Sequence, residues 1–347
     1  MARVYLDHNA TTPLRHEARV AMGAAMDIHG NPSSVHTEGR AAKAAIERTR
    51  AQVSEALGAS GADVIFTSGA TEAAALALAG RDLRGAAIEH DAVRAWVEES
   101  LPVTSDGAVS LADPAGSTLQ LANSETGVVQ ALPEGLAASD ITQGFGKLPF
   151  AYGWSGVGMV FLSAHKIGGP KGVGALIVPK GSDLAAQIKG GGQELGRRSG
   201  TENVIGIAGF GAAAAAAQAD LAAGRWDEVA ALRDEFEAVL LDSAAGITIV
   251  GQGAKRLANT SMIVAPGWKG ETQVMAMDLA GFAVSAGSAC SSGKVKASRV
   301  LTAMGFDDEA AASALRVSLG IQTRRDDVLA FAKAWTETYR KKRSRAA

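Results

Sequence analysis

The chain has 347 residues, 47% of them hydrophobic and 20% charged, with a formal net charge of −2. That is enough apolar material for one large core or two ordinary ones, and no global basic field marks a nucleic-acid binder. One cysteine, Cys290, excludes an intrachain disulfide, and the first residues are too polar for a secretory signal. With no unbroken apolar run of membrane-spanning length, a soluble protein of a reducing cytoplasm is expected. The basic end (Arg340, Lys341, Lys342, Arg343, Arg345) reads as a solvated tail.

Ala42, Ile46, Thr49, Val53 and Leu57 recur at helical spacing, and Gly58 follows as a stop. A strand is predicted over 63–67, and Ser68-Gly69-Ala70-Thr71-Glu72 then opens an alanine-rich helix running to Gly80. Further strands are predicted over 86–89, ending at His90, and over 118–122, ending at Asn123. Met159 to Leu162 runs into Ser163-Ala164-His165-Lys166, and a glycine-rich turn returns into Ala175 to Val178. A helix is expected from the alanine run at 212–217 to about 223, with Gly224 as a domain boundary. An amphipathic helix follows (Val229, Leu232, Phe236, Val239, Leu240), then short strands at 247–250 and 261–264. Strands alternating with helices predict an α/β fold whose largely parallel sheet is covered on both faces, followed by a smaller α+β part. Ligands collect at the carboxyl ends of such strands, where Thr71, His90, Asn123 and Lys166 all fall.

Lys166 carries the strongest chemical signal. A lysine at the mouth of a buried strand loses its proton readily and becomes a nucleophile toward carbonyls. Ser163 and His165 beside it are donors for an anion, so the turn reads as the seat of an aldehyde-phosphate cofactor held as a Schiff base. Several other positions have both a functional and an ordinary reading. Ala70 and Thr71 open a helix, which binds phosphate or is simply capped. Asp140 suits a pyridine nitrogen and Gln143 a phenolic oxygen, or they are a helix cap and a surface glutamine. His90 stacks on a flat ring and shuttles protons, or is structural. Arg316, set in apolar sequence, binds a carboxylate or closes an internal salt bridge. The six histidines show no metal-ligand spacing, so no metal is expected. Gly209-Phe210-Gly211 mimics a dinucleotide fingerprint but does not clearly follow a strand. Small residues surround Cys290 (Ser285 to Gly293), which suits an exposed, mobile loop and a reactive thiolate favoured by Lys294 and Lys296.

These stretches, with Tyr5 to Pro13, Gly30 to Ser34, Gly127 to Gln130, Gly168 to Gly172 and Arg198 to Thr201, occur in one order along nearly the whole chain. Together they resemble the NifS- and IscS-like cysteine desulfurases of the class V aminotransferase group, which are fold-type I pyridoxal 5'-phosphate enzymes. The resemblance implies a large domain (13–223) with a mostly parallel seven-stranded sheet between helices. It also implies a smaller C-terminal α+β domain (1–12 with 224–347) carrying the cysteine loop.

By the same resemblance, Lys166 bonds the cofactor, Asp140 pairs with its ring nitrogen, Gln143 meets its phenolic oxygen and His90 stacks on it. Ala70, Thr71, Ser163 and His165 hold the phosphate, and Thr201 reaches the phosphate of a neighbouring subunit, so a homodimer is implied. Arg316, Asn31, Asn123 and Ser124 bind the substrate. L-cysteine would give L-alanine and a persulfide on Cys290, passed to an acceptor protein of iron–sulfur assembly or of tRNA thiolation.

Three departures stand out. Ser124 replaces the second asparagine of a common pair. The interval from Gln130 to Asp140 is short, so one peripheral helix is expected to be trimmed. Gln193-Glu194-Leu195 replaces a version with histidine. The rival readings are a selenocysteine lyase, an aminotransferase of the same fold, and a non-catalytic cofactor-bearing scaffold.

Overall fold

The structure, a computed structural model, describes residues 3–287 and 297–346; Cys290 lies outside them. Strand Met159–Ser163 is buried along its whole length, as a strand covered on both faces must be. It pairs in parallel with Ala138–Asp140 and antiparallel with Gly174–Pro179, which pairs antiparallel with Ala62–Thr67. An extended segment through Ser117 and Thr118 bridges in parallel to Ala138 on one side and to Arg84 on the other. Arg84–Ala86 then pairs in parallel with Glu98–Leu101. The result is one mostly parallel sheet of seven chain segments, with Gly174–Pro179 running against its neighbours.

Two differences from the sequence expectation have simple causes. The strand expected at 86–89 ends at Ala86, because Glu89 N–H bonds to Ala86 O at 3.0 Å and turns the chain. His90 leaves that turn as the N-cap of the short helix Asp91–Arg94. The helix expected from the alanine run starts earlier, as Val204–Ala222. Asn203 supplies the cap that the alanine run could not reveal, accepting from Gly206 N–H at 3.0 Å.

Val204–Ala222 is apolar and long enough to cross a membrane, with a mean hydropathy of 1.4. It packs instead against helices His16–Met26 and Thr37–Ala56, placing Ile207, Phe210, Ala213, Ala214 and Ala217 in the core beneath the sheet. Gly209-Phe210-Gly211 therefore lies mid-helix: a Cβ at Gly211 would meet Thr49 Cγ2 at 2.9 Å. The opposite face of the sheet is covered by helix Ala70–Leu78, through Ala73, Ala74, Ala77 and Leu78. No helix lies between Gln130 and Ala138.

A second core forms around Phe236, Leu240, Phe331, Trp335 and Tyr339. Its four-stranded antiparallel sheet runs in the order Ser285–Ala286, Ala314–Ser318, Thr260–Val264, Thr248–Ile249. Trp335 stacks on Tyr339 with ring centroids 5.2 Å apart. The N-terminal segment belongs to this core: Leu6 is fully buried in it, and Val4–Tyr5 pairs in parallel with Phe282–Ala283. From there residues 7–12 pass over the turn that carries Lys166, so one short segment touches both cores.

Candidate active site

The strand Met159–Ser163 ends in a 3-10 turn, Ala164–Ile167, closed by Gly168 at φ 80°. A Cβ at Gly168 would strike Arg15 Cγ at 2.5 Å, so only glycine fits where the turn meets the N-terminal segment. That segment grips the turn: Thr12 N–H donates to His165 O at 2.9 Å, and Thr12 Oγ1 to Lys166 O at 2.9 Å. Lys166 Nζ donates to Asn9 O at 2.7 Å and to Ala10 O at 2.8 Å. The half-buried amine is thus held at a fixed point on the wall of a cavity of about 380 Å³.

Ten of the expected site residues line this cavity: Ala70, Thr71, His90, Ser124, Asp140, Gln143, Ser163, His165, Lys166 and Arg316. Ser163 Oγ accepts from Ala70 N–H at 2.9 Å, tying the strand end to the start of helix Ala70–Leu78. The hydroxyl keeps its own proton for another partner. His165 Nδ1 lies 3.1 Å from Thr11 Oγ1. Burial, with the charges of Lys166 and Lys171, pushes its imidazole down to about 4, so at neutral pH it is an uncharged hydrogen-bonding group. At the rim, His90 Nδ1 accepts from Ala92 N–H at 3.1 Å, which leaves the proton of a neutral ring on Nε2.

Asp140 closes its strand, and its Oδ1 accepts from Thr142 N–H at 2.8 Å. The Gln143 carboxamide is held at both ends. Its Nε2 donates to Asn9 O at 3.0 Å, and its Oε1 accepts from Lys147 Nζ at 3.0 Å. Arg316 closes the internal salt bridge of its ordinary reading and also lines the cavity. It faces the cavity, and it donates to Asp7 Oδ1 at 2.8 Å and to Ser124 O at 3.1 Å.

Three expected residues are placed elsewhere. Asn123 is 1% exposed and builds a turn. Its Oδ1 accepts from Glu125 N–H and Thr126 N–H, each at 2.9 Å, and its Nδ2 donates to Ile88 O at 3.0 Å. Between the two neighbours, it is Ser124 that reaches the cavity. Asn31 is exposed, with Oδ1 on Ser33 N–H at 2.9 Å, shaping the loop before helix Thr37–Ala56. Thr201 is exposed in the loop after Ser199 and does not line the cavity of its own chain. Cys290, with Lys294 and Lys296, lies outside the described residues.

The cavity also holds residues to which sequence reasoning gave no role. Asn9, Ala10, Gln120, Ala122 and Thr142 line it. Behind it, Glu89 is 3% exposed, and its Oε1 accepts from Gln120 N–H at 2.8 Å. Burial, with the nearby charge of Asp140, raises the Glu89 carboxyl well above the usual range. Lys147 is 4% exposed. Glu89 carried a local signal only in being next to His90, and Lys147 only in being four residues after Gln143.

An amine, a carboxylate, an amide, an imidazole and a helix start with two hydroxyls and a neutral histidine converge on one cavity. That donor set fits a flat, cationic ring bearing an aldehyde, a hydroxyl and a phosphate. Residues 4–94 and 118–331 match the profile of the Aminotransferase class-V family. The chain is 38% identical to a cysteine desulfurase of Cereibacter sphaeroides, over 92% of this chain and 91% of that protein. A NifS-like protein from Rickettsia africae has a similar structure, with a TM-score of 0.88 and 32% identity over 97% of this chain and 99% of that one. SspA, solved in complex with cysteine, aligns with a TM-score of 0.74 and 28% identity over 91% of this chain and 98% of its own. The chain belongs to the class V aminotransferase family of pyridoxal-phosphate enzymes.

Proposed function

We propose that the protein is a cysteine desulfurase: it takes sulfur from L-cysteine, releases L-alanine and carries the sulfur as a persulfide on Cys290. The observation that carries this reading is the convergence of Lys166, Asp140, Gln143, His90 and Arg316 on one cavity that is also lined by the start of helix Ala70–Leu78. Within it Lys166 tethers the cofactor, Asp140 sits at the ring nitrogen, Gln143 at the ring hydroxyl and His90 against the ring face. Ala70, Thr71, Ser163 and His165 hold the phosphate, joined across a homodimer by Thr201 of a second copy. Bound pyridoxal phosphate supplies an electron sink for charge developing on the substrate.

The chain's own groups do the rest. Arg316 and Ser124 fix the substrate carboxylate. The Lys166 amine takes the Cα proton and returns it. The Cys290 thiolate bonds to the substrate sulfur as the carbon–sulfur bond breaks; the electron pair passes to Cβ, which is protonated to the methyl of alanine. Ser285 pairs in register with Arg316, and Cys290 follows Ser285 by five positions in the sequence. A transaminase has no use for that thiol.

Residues 13–223 form the cofactor domain, and 1–12 with 224–347 the small one. The acceptor is a protein of iron–sulfur assembly or tRNA thiolation, and the enzyme works in the cytoplasm.

Alanine formed from cysteine in the presence of a reductant tests the activity. The Cys290→Ser variant is expected to abolish sulfide release while keeping the visible absorption of the cofactor, and Lys166→Ala to lose that absorption. A Cys290→Ser variant with unchanged turnover would overturn the desulfurase reading, and so would an incubation of the wild type that forms no alanine.

A further inference from the structure

Lys147 has no task in the chemistry above, yet it is among the most buried charged side chains. It is 4% exposed, and its two hydrogen bonds go to neutral oxygens: Gln143 Oε1 at 3.0 Å and Asn9 Oδ1 at 3.4 Å. Among the described residues it forms no ion pair. Burying an amine without a counter-charge is costly, and a methionine or leucine would fill the same space without that penalty. Burial, reinforced by Lys166 and Arg316, pushes its amine down to about 7.

The two ends of a carboxamide have the same shape, so only their partners decide which end points where. A protonated lysine amine is a donor without an acceptor. Set against Gln143, it is compatible with the oxygen end alone, and the neutral amine keeps two N–H donors for its two oxygen partners, Gln143 Oε1 and Asn9 Oδ1. The NH2 end is thereby turned to Asn9 O, the same carbonyl that receives Lys166 Nζ at 2.7 Å. Asn9 is itself pinned, with Nδ2 on Thr260 Oγ1 at 2.8 Å and Oδ1 on Asn259 Nδ2 at 3.0 Å.

We propose that Lys147 is a positioning residue that locks the Gln143 carboxamide with its NH2 end toward the cavity, where the N–H not bonded to Asn9 O would meet the ionised phenolic oxygen of pyridoxal phosphate. This rests on the cofactor reading above. A chain without Lys147 would leave only the bond to Asn9 O to orient the amide, so the turned form, which opposes acceptors with acceptors, gains population.

The test is the affinity of the cofactor-free protein for pyridoxal phosphate, read by visible absorption, for wild type, Lys147→Met, Gln143→Leu and the double variant. Lys147→Met is expected to weaken binding about tenfold, the scale of one hydrogen bond, and to shift the absorption maximum of the bound cofactor in the same direction as Gln143→Leu. In the double variant the two losses should not add. Lys147→Arg, which is also a donor without an acceptor and has room in the adjoining cavity of about 310 Å³, should recover most of the affinity. Should Lys147→Met fail to fold, Lys147→Gln replaces it, since glutamine no longer dictates which amide end it faces. Unchanged affinity and absorption in the Met or Gln variant, or losses that add in full, would overturn the inference. Wild-type protein that binds no pyridoxal phosphate would instead overturn the cofactor reading, and this inference with it.

Discussion

Asp7 holds Arg316: its Oδ1 accepts from Arg316 Nη2 at 2.8 Å, while its Oδ2 accepts from Ser285 Oγ at 2.8 Å. The guanidinium proposed to bind substrate is therefore set by a residue of the N-terminal segment. The same carboxylate also ties in the strand that leads toward Cys290. Both partners are largely out of water, with side chains 5% and 16% exposed. Removing one member of such a pair leaves a buried charge uncompensated, at about 3–5 kcal/mol. Asp7→Ala is expected to lose stability on that scale and to raise KM for cysteine more than it lowers kcat. Denaturant unfolding and steady-state kinetics check it; a variant with wild-type stability and KM would show that Arg316 needs no such holder.

The Asp7–Arg316 contact joins residues 309 positions apart, which is why no local pattern announced it. The Lys166 turn was legible because its signal is local, an apolar strand, a polar end and a glycine return, all within sixteen residues. Five of the sheet's seven segments were legible from the alternation of apolar runs and helical stretches, even though the Ala86 strand ended early at a turn closed by Glu89; the short strands Glu98–Leu101 and Ala138–Asp140 were not. Lys147 and Asn9 were opaque for the opposite reason. Their contact spans 138 positions, and a lysine between glycine and leucine looks like any exposed one. Asn123 misled because a strand end followed by a polar residue is also how a turn begins. Its short side chain bonds its own backbone two and three residues on, as asparagine readily does.

Glu89 gives a prediction whose sign runs against the usual carboxylate. Its folded pKa is raised, so between the ordinary glutamate value and the raised one the folded state holds more protons than the unfolded state. Stability then falls as pH rises through that window. Glu89→Gln keeps the acceptor for Gln120 N–H and stays neutral at every pH. It is expected to match wild type in acid and to exceed its stability at neutral pH. Unfolding midpoints across pH decide this, and a variant less stable than wild type at pH 7 would contradict a raised Glu89 carboxyl.

His8 and His165 act at lower pH. Burial pushes both down to about 4 from 6.5, with Lys147 adding to the effect at His8 and Lys166 at His165. Because the folded pKa is depressed, the unfolded chain binds more protons between 4 and 6.5. The stability present above 6.5 is therefore lost as pH falls through that range, by at most about 3 kcal/mol for His8 and by less for His165, whose greater exposure lets solvent screen it. His8 Nδ1 is buried without a partner among the described residues, so His8→Leu removes a titrating group without breaking a bond to that atom. The variant should lose less stability than wild type between pH 6.5 and 4, measured by thermal melts; an identical acid slope would count against a neutral, buried His8.

Gly211 separates packing from helix propensity. In an exposed helix, glycine to alanine stabilises by about 1 kcal/mol. At Gly211, however, an added Cβ would lie 2.9 Å from Thr49 Cγ2 and 3.2 Å from Thr49 Cα, on a helix that cannot retreat without opening the core around Phe210. The Gln52 side chain, whose Oε1 would be at 2.3 Å, can swing away, but Thr49 is β-branched and 2% exposed. Overpacking of this kind costs about 1–3 kcal/mol, which outweighs the gain in propensity. Gly211→Ala is thus expected to be net destabilising by up to about 2 kcal/mol. Gly211→Ala combined with Thr49→Ala should recover most of that loss, because the second change removes the methyl that the first one meets. A double variant no more stable than Gly211→Ala would place the clash elsewhere than at the Thr49 contact.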